Sequence, residues 1–282
     1  MATQERDRRV VPFVGADGRG LSLDLIGRAL FTGLSGIVVM LLLAGIADPL
    51  FRLLGAQDFP LAYIHRLHDT AVFVQSFVLL VIPLVTSFRT PERRPAVMVL
   101  AASGALITFL VSLARGAPDQ QTLLFVVLLA VLAALHPARR RLLQVGRPSW
   151  PLLGAALLAA GPLTTYAIVH IGYDRAGIGP LHGDLGHWQS MAGLALTILF
   201  GAVFASLRPD GWRLVAWLSG VAAAAVGALS VVWPQQASSF GIGWGLAAVA
   251  WGAGFSVLAE ALYRREEAAS VDADVPEGVG RA

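Results

Sequence analysis

Four of the six histidines in this chain fall in two short stretches, FPLAYIHRLHDT and GPLHGDLGHWQ, each of which also carries an aspartate. The first holds His65, His68 and Asp69; the second holds His182, Asp184 and His187. A helix starting near Pro60 brings His65 and His68 within one turn and pairs His65 with Asp69, because residues three and four apart are helical neighbours. Asp184 and His187 are likewise three apart. Imidazole and carboxylate together suit zinc, copper, iron or nickel, and a carboxylate can also orient a ligating histidine from behind. His68, His187, Asp69 and Asp184 are therefore the candidate metal ligands. His68, His187, His65 and His182 are the candidates for holding a cofactor more broadly, with a transition metal and haem as the two options. None of these spacings is a strong metal signature of the HExxH kind. The plainer reading makes the histidines interfacial and gives Asp58 and Asp184 the task of capping helix N-termini. His170 and His136 read as structural or solvated. There is no cysteine, which excludes disulfides, thiolate metal sites and thiol catalysis.

The elements that must position these groups are membrane helices. The 282 residues are only 14% charged, against about a quarter in soluble domains, and mean hydropathy is +0.68. Apolar runs long enough for a hydrocarbon core of about 30 Å recur along the chain. We read eight, near 27–47, 69–88, 96–114, 121–136, 150–170, 188–207, 213–232 and 242–262, the fourth being short. The opening MATQERDRRVVPFVGADGRGLSLDL is polar and Arg-rich and lacks the apolar core and small-residue cleavage site of a secretory signal, so the first helix is expected to be retained.

All 21 basic residues are arginine. With the N-terminus inside, 17 of them fall on cytoplasmic segments, and only Arg52, Arg66, Arg115 and Arg175 fall outside. That bias obeys the positive-inside rule, and an even number of spans returns the C-terminus to the cytoplasm. It also explains a pI near 9.9 without a nucleic-acid partner. The same topology places His65, His68, His170, His182 and His187 outside with Asp48, Asp58, Asp69, Asp174 and Asp184, leaving His136 inside. Trp150, Trp188, Trp212, Trp233 and Trp244 lie near helix ends, as an aromatic belt would.

The halves resemble each other. An offset of 119 superposes His68 on His187, Ser87 on Ser206, Arg89 on Arg208 and Arg94 on Arg213, and Pro60 and Pro180 lie just upstream. Proline suits a first helical turn. The expected organisation is a polar cytoplasmic segment 1–25, four-helix membrane repeats 26–145 and 146–265, and a disordered acidic tail 266–282. Four helices separate the copies, so both keep one orientation and their axis runs along the membrane normal.

Span interiors hold no Asp, Lys or Arg, and their one glutamate, Glu260, stands four before Arg264 as an i,i+4 pair. Ion-coupled carriers need ionisable groups at depth, so a proton- or sodium-driven transporter is disfavoured. Gln75, seven residues after His68, reads as an interhelical hydrogen bond or a cavity lining, and Thr164, Thr165 and Tyr166 follow Pro162. SGVAAAAVGALS reads as close helix packing. No nucleotide loop, serine nucleophile elbow or CxxC is present, and GIGWG carries no phosphate-loop lysine.

From near Tyr166 to Arg265 the chain resembles an uncharacterised family of bacterial multi-helix membrane proteins, through His182, Gly183 and His187 and then Gly211, Trp212 and Arg213. The histidines here are five apart where that family's turn has four. The resemblance implies a fold and no activity. A second likeness, through Tyr63, Ile64, His65 and Arg66 with His187, is to haem A synthase, which implies two four-helix bundles with haem-ligating histidines. That family's second ligand in each half has no histidine to match it near Thr122 or Trp244, so the likeness implies a degenerate or differently liganded relative.

The sequence thus points to an all-α, multi-pass protein of the cytoplasmic membrane, with about eight transmembrane helices as two tandem repeats and both termini cytoplasmic. Its expected site lies in the outer half of the membrane, at the segments following spans one and five. The bilayer and a small lipophilic ligand are expected partners, with a membrane-protein partner also open. Three classes remain: a binder of metal, haem or lipophile; an enzyme on haem or lipid, which would show a pocket open sideways to the bilayer; and a cofactor-free assembly subunit with outer histidines facing water.

Overall fold

The computed structural model describes residues 19–53 and 62–273, all-helical apart from turns and connections. The helices are α1 (Arg19–Leu53), α2 (Ala62–Phe73), α3 (Ile82–Arg89), α4 (Ala96–Arg115), α5 (Gln120–Leu135), α6 (Trp150–Arg175), α7 (Pro180–Asp184), α8 (His187–Ser206), α9 (Trp212–Val232) and α10 (Gly241–Ala273). Helices satisfy their own backbone groups, which is what a chain in hydrocarbon requires. Seven of the expected apolar stretches form helices long enough to cross a membrane, the second being the rod Arg66–Arg89. The fourth is α5, at 16 residues short of the roughly 20 that a crossing needs.

The rod from α2 to α3 is continuous, but Val74–Val81 between them is wound as a π-helix, with the Ile82 amide donating to the Phe77 carbonyl five residues back. Pro83 follows. A proline cannot donate to the residue four before it and crowds that carbonyl, and a widened turn is one way a helix absorbs the misfit. Pro180 opens α7, as its fixed φ favours. Pro60 lies outside the described residues.

α8 is the central helix, buried along most of its length and flanked by α4, α6 and α9. α9 and α10 pack closest of all. A Cβ on Gly227 would stand 2.6 Å from the Gly245 carbonyl, and one on Gly252 would collide with the Gly220 carbonyl. The small-residue stripe is therefore a backbone-to-backbone contact. Gln75 donates to Thr108 of α4 at 2.9 Å, the interhelical bond its position implied.

At the bundle end away from the two histidine stretches, the connections interlock. The Ala96 amide donates to Asp210 at 3.1 Å, Gly146 to Leu207 at 2.9 Å and Ser149 to Ser206 at 2.7 Å. Glu260 takes Arg264 as expected, at 2.8 Å, and also accepts two bonds from Arg213 of α9. Arg141 pairs with Asp210 and Arg208 with Glu266. That last pair bears on the tail: α10 runs on to Ala273 past the expected boundary at 266, with the Glu266 carboxylate held by Arg208. Residues 274–282 and 1–18 lie outside the described ones.

His136, just past α5, is structural and fully buried. Its Nε2–H donates to Ser87 at 3.1 Å and its Nδ1 accepts the Ala138 amide at 3.1 Å, which defines a neutral ring. Both ring nitrogens are thus met by partners on either side of it. His136→Ala should cost about 1–3 kcal/mol by leaving Ser87 and the Ala138 amide unmet, read as a lower melting temperature in detergent; an unchanged melting temperature would refute this role. Separately, Gly252→Val should cost about 1–3 kcal/mol through overpacking, read as a lower melting temperature.

Candidate functional site

Three imidazoles converge at the other end of the bundle. His68 lies in the second turn of α2, His182 in the short helix α7, and His187 opens α8. One ligand nitrogen from each lies within 4.8 Å of the others. His68 is 0% and His187 5% exposed, and His182 is half-buried. The rings of His68 and His187 stack face to face, 4.6 Å apart and 5° from parallel, while His182 meets both edge-on at 5.0 and 5.7 Å.

The five-residue spacing of His182 and His187 does not put them on one helical face, and the chain solves this with a break. α7 ends at Asp184, and Gly186, at φ 68°, turns the backbone left-handed before α8 begins. Glycine enters that region without the steric penalty other residues meet. On the other side of α7, Gly179 has φ 60°, and a Cβ there would come 3.2 Å from His182 Nδ1. The two glycines thus let His182 fold back over His187.

Behind His68 stands Ser238, in the connection between α9 and α10. His170 Nδ1 lies 2.8 Å from the Tyr166 carbonyl, so Nδ1 carries hydrogen and donates. In the neutral ring Nε2 is then an acceptor, and Ser238 O–H donates to it at 2.7 Å. The Ser238 oxygen in turn accepts from His68 Nε2–H at 2.9 Å. This wiring assigns the His68 lone pair to Nδ1, the nitrogen that a metal would use, with Ser238 as the outer partner that fixes the tautomer. Ser238 has φ 69°, a conformation costing a non-glycine residue about 1 kcal/mol. Its hold is broad: Tyr166 Oη donates to the Ser238 carbonyl at 2.7 Å, and Gln236 in the same connection accepts the Leu67 amide of α2 at 2.8 Å.

Trp188 braces the cluster. Its indole stacks on His182 at 4.9 Å and touches His68, His170 and Tyr173, and its N–H donates to the Ile178 carbonyl at 2.9 Å. It is buried, so unlike the exposed Trp150 and Trp244 it is no belt residue.

Asp69 is buried beside His68, and Asp184 is exposed; neither belongs to the converging set. Asp184 caps no helix either: the N-cap of α8 is Gly186, and the carboxylate cap seen is Asp119 on α5. Asp58 and the His65 side chain lie outside the described residues. Nearby, Asp174 pairs with Arg115 at 3.1 Å. His170, expected to be structural or solvated, is buried and tied to the site through Ser238. An ionisable residue inside a span was the signal that could have found it. Ser238 gave none, being one of several polar residues in a loop.

Beside the cluster, α6, α8, α9 and α10 enclose a cavity of about 750 Å³, which reaches Tyr166, His170 and Ser238. No protein-family model, curated protein or solved structure matches the chain. Gly186→Ala should strain the turn by roughly 1 kcal/mol and spread His182 from His187. A 15N-histidine NMR spectrum would register this as changed ring shifts for those two residues, and unchanged shifts would count against the glycine's role.

Proposed function

We propose that this chain is an integral protein of the cytoplasmic membrane that holds a transition-metal ion on His68, His182 and His187. The observation that carries this is the convergence of three imidazole nitrogens within 4.8 Å from three separate helices. A tetrahedral ion with bonds of 2.0–2.1 Å brings its ligand atoms to about 3.3 Å, so the set closes somewhat on binding, a motion the glycines flanking α7 permit. Neutral imidazole suits zinc, copper, nickel and iron. Three protein ligands leave a fourth position to water or substrate, as in open rather than closed zinc sites.

Three converging imidazoles support a small ion. His68 and His187 stack nearly parallel, so one ring would turn for both lone pairs to meet that ion. The arginine distribution supports the site's extracytoplasmic placement, with eight crossings, a short fourth span, and both termini in the cytoplasm. Ser87 and Ser206, matched in the repeat, are both buried at the inner end, in keeping with tandem units. A cofactor-free subunit would turn its outer histidines to water, and the burial of His68 and His187 argues against it.

A second reading, an enzyme acting on a lipid, draws on the cavity beside the cluster. An open metal position next to it could polarise a carbonyl or activate water.

The test is elemental analysis with an ultraviolet–visible spectrum of detergent-purified protein, repeated after loading with Zn²⁺ or Co²⁺. About one ion per chain is expected, with the d–d bands of Co²⁺ in a low-coordinate site. His68→Ala/His187→Ala should remove both while helical circular dichroism stays the same. Metal content unchanged in the double variant, or no uptake by the wild type, sinks the assignment.

A further inference from the structure

The cavity has a distinct character of its own. Its walls are apolar, formed by residues such as Leu194, Ile198, Val226 and Trp251, and its volume of about 750 Å³ lies within the range of small-molecule sites. At its rim Leu158 is 76% and Trp244 65% exposed, large apolar groups on the outer face of membrane-length helices. α6 and α10 touch only sparsely. Two hydrogen bonds cross the seam, from Trp251 Nε1 to the Ala155 carbonyl at 2.8 Å and from Tyr166 to Ser238. The opening therefore faces hydrocarbon.

The polar groups sit toward the histidine end. None of the lining residues is Arg, Asp or Glu, so a charged head group would be desolvated without a counter-charge. The donors of Tyr166, Ser238 and His170 are spent on one another, as traced above. The end of the cavity also carries acceptor capacity on the Tyr166 oxygen, with the hydroxyls of Thr165 and Tyr173 able to donate or accept beside it. A hydroxyl complements that arrangement.

We propose that the cavity binds a neutral single-chain amphiphile, such as a monoacylglycerol or long-chain alcohol, which enters sideways between α6 and α10 and sets its hydroxyl against Tyr166. One slot between two helices takes one chain. The argument needs no ion, so it stands or falls apart from the metal assignment.

The experiment uses the full chain in phosphatidylcholine nanodiscs and a monoacylglycerol with a diazirine in its acyl chain, photolysed and mapped by peptide mass spectrometry. Adducts should concentrate on cavity residues of α6 and α10, and unlabelled monoacylglycerol should displace them at concentrations about tenfold below those of palmitate at pH 9. Ala247→Trp fills the rim at an exposed position and should reduce cavity adducts at least about fivefold. Leu158→Trp on the facing helix provides the same block if the first variant folds poorly. Tyr166→Phe should weaken the alcohol's advantage over palmitate. Adducts spread evenly over the outer faces of α1, α4 and α6, adducts indifferent to both blocking variants, or equal competition by palmitate would overturn the proposal. Metal content measured on Ala247→Trp keeps the two assignments separable.

Discussion

A buried imidazole between apolar helices has two ring nitrogens to place, one donor and one acceptor, and leaving either unmet costs free energy. At the histidine end of this bundle a single hydroxyl meets one nitrogen on each of two such rings. Ser238 donates to His170 and accepts from His68, and its backbone is bent into the left-handed region to do so. Through that one side chain the connection between α9 and α10 is joined to α2 and to α6. His136 meets the same demand at the other end with Ser87 and the Ala138 amide.

Ser238 can serve in this way only because the helices beneath it are set closely. The glycine contacts between α9 and α10 fix the spacing at which their connection emerges, and the interlocked turns around Leu207 and Asp210 fix α8 relative to α4 and α6. α8 then carries His187 up to His68 from the centre of the bundle. Charge lies mostly at the ends: Arg115 with Asp174 near the histidines, and Arg28, Arg141, Arg208 and Arg213 with their acids at the opposite end. Each pair joins residues that the arginine distribution assigned to one side of the membrane.

Much of the helical architecture was legible because crossing hydrocarbon leaves a simple trace, a run of apolar residues of fixed length. The apolar spans of all seven long helices begin within three residues of the expected limits, while α6 and α10 run on past theirs at the C-terminal end, α10 with Glu266 paired to Arg208 beyond its apolar part. His68 and His187 were legible as a pair because one offset linked them. His182 was legible as a candidate, but not its direction, which depends on two glycine dihedrals. The link between His170 and Ser238 was out of reach for a different reason: it joins residues 68 apart in sequence, and no local periodicity encodes such a contact. Trp188 has the composition and position of a belt residue and differs from one only in what packs against it.

The two bonds that cross the seam between α6 and its neighbours also set a height. Ala155 and Tyr166 are eleven residues apart on α6, which at the helical rise is about 16 Å. That is roughly half of a hydrocarbon core of about 30 Å. The middle of the expected span 150–170 falls between them, with Ala155 about 8 Å to one side and Tyr166 about 9 Å to the other, so the gap framed by these bonds straddles the midplane. Whatever passes through it does so at the depth where the acyl tails of the two monolayers meet, so the opening is presented with chain ends more than with head groups.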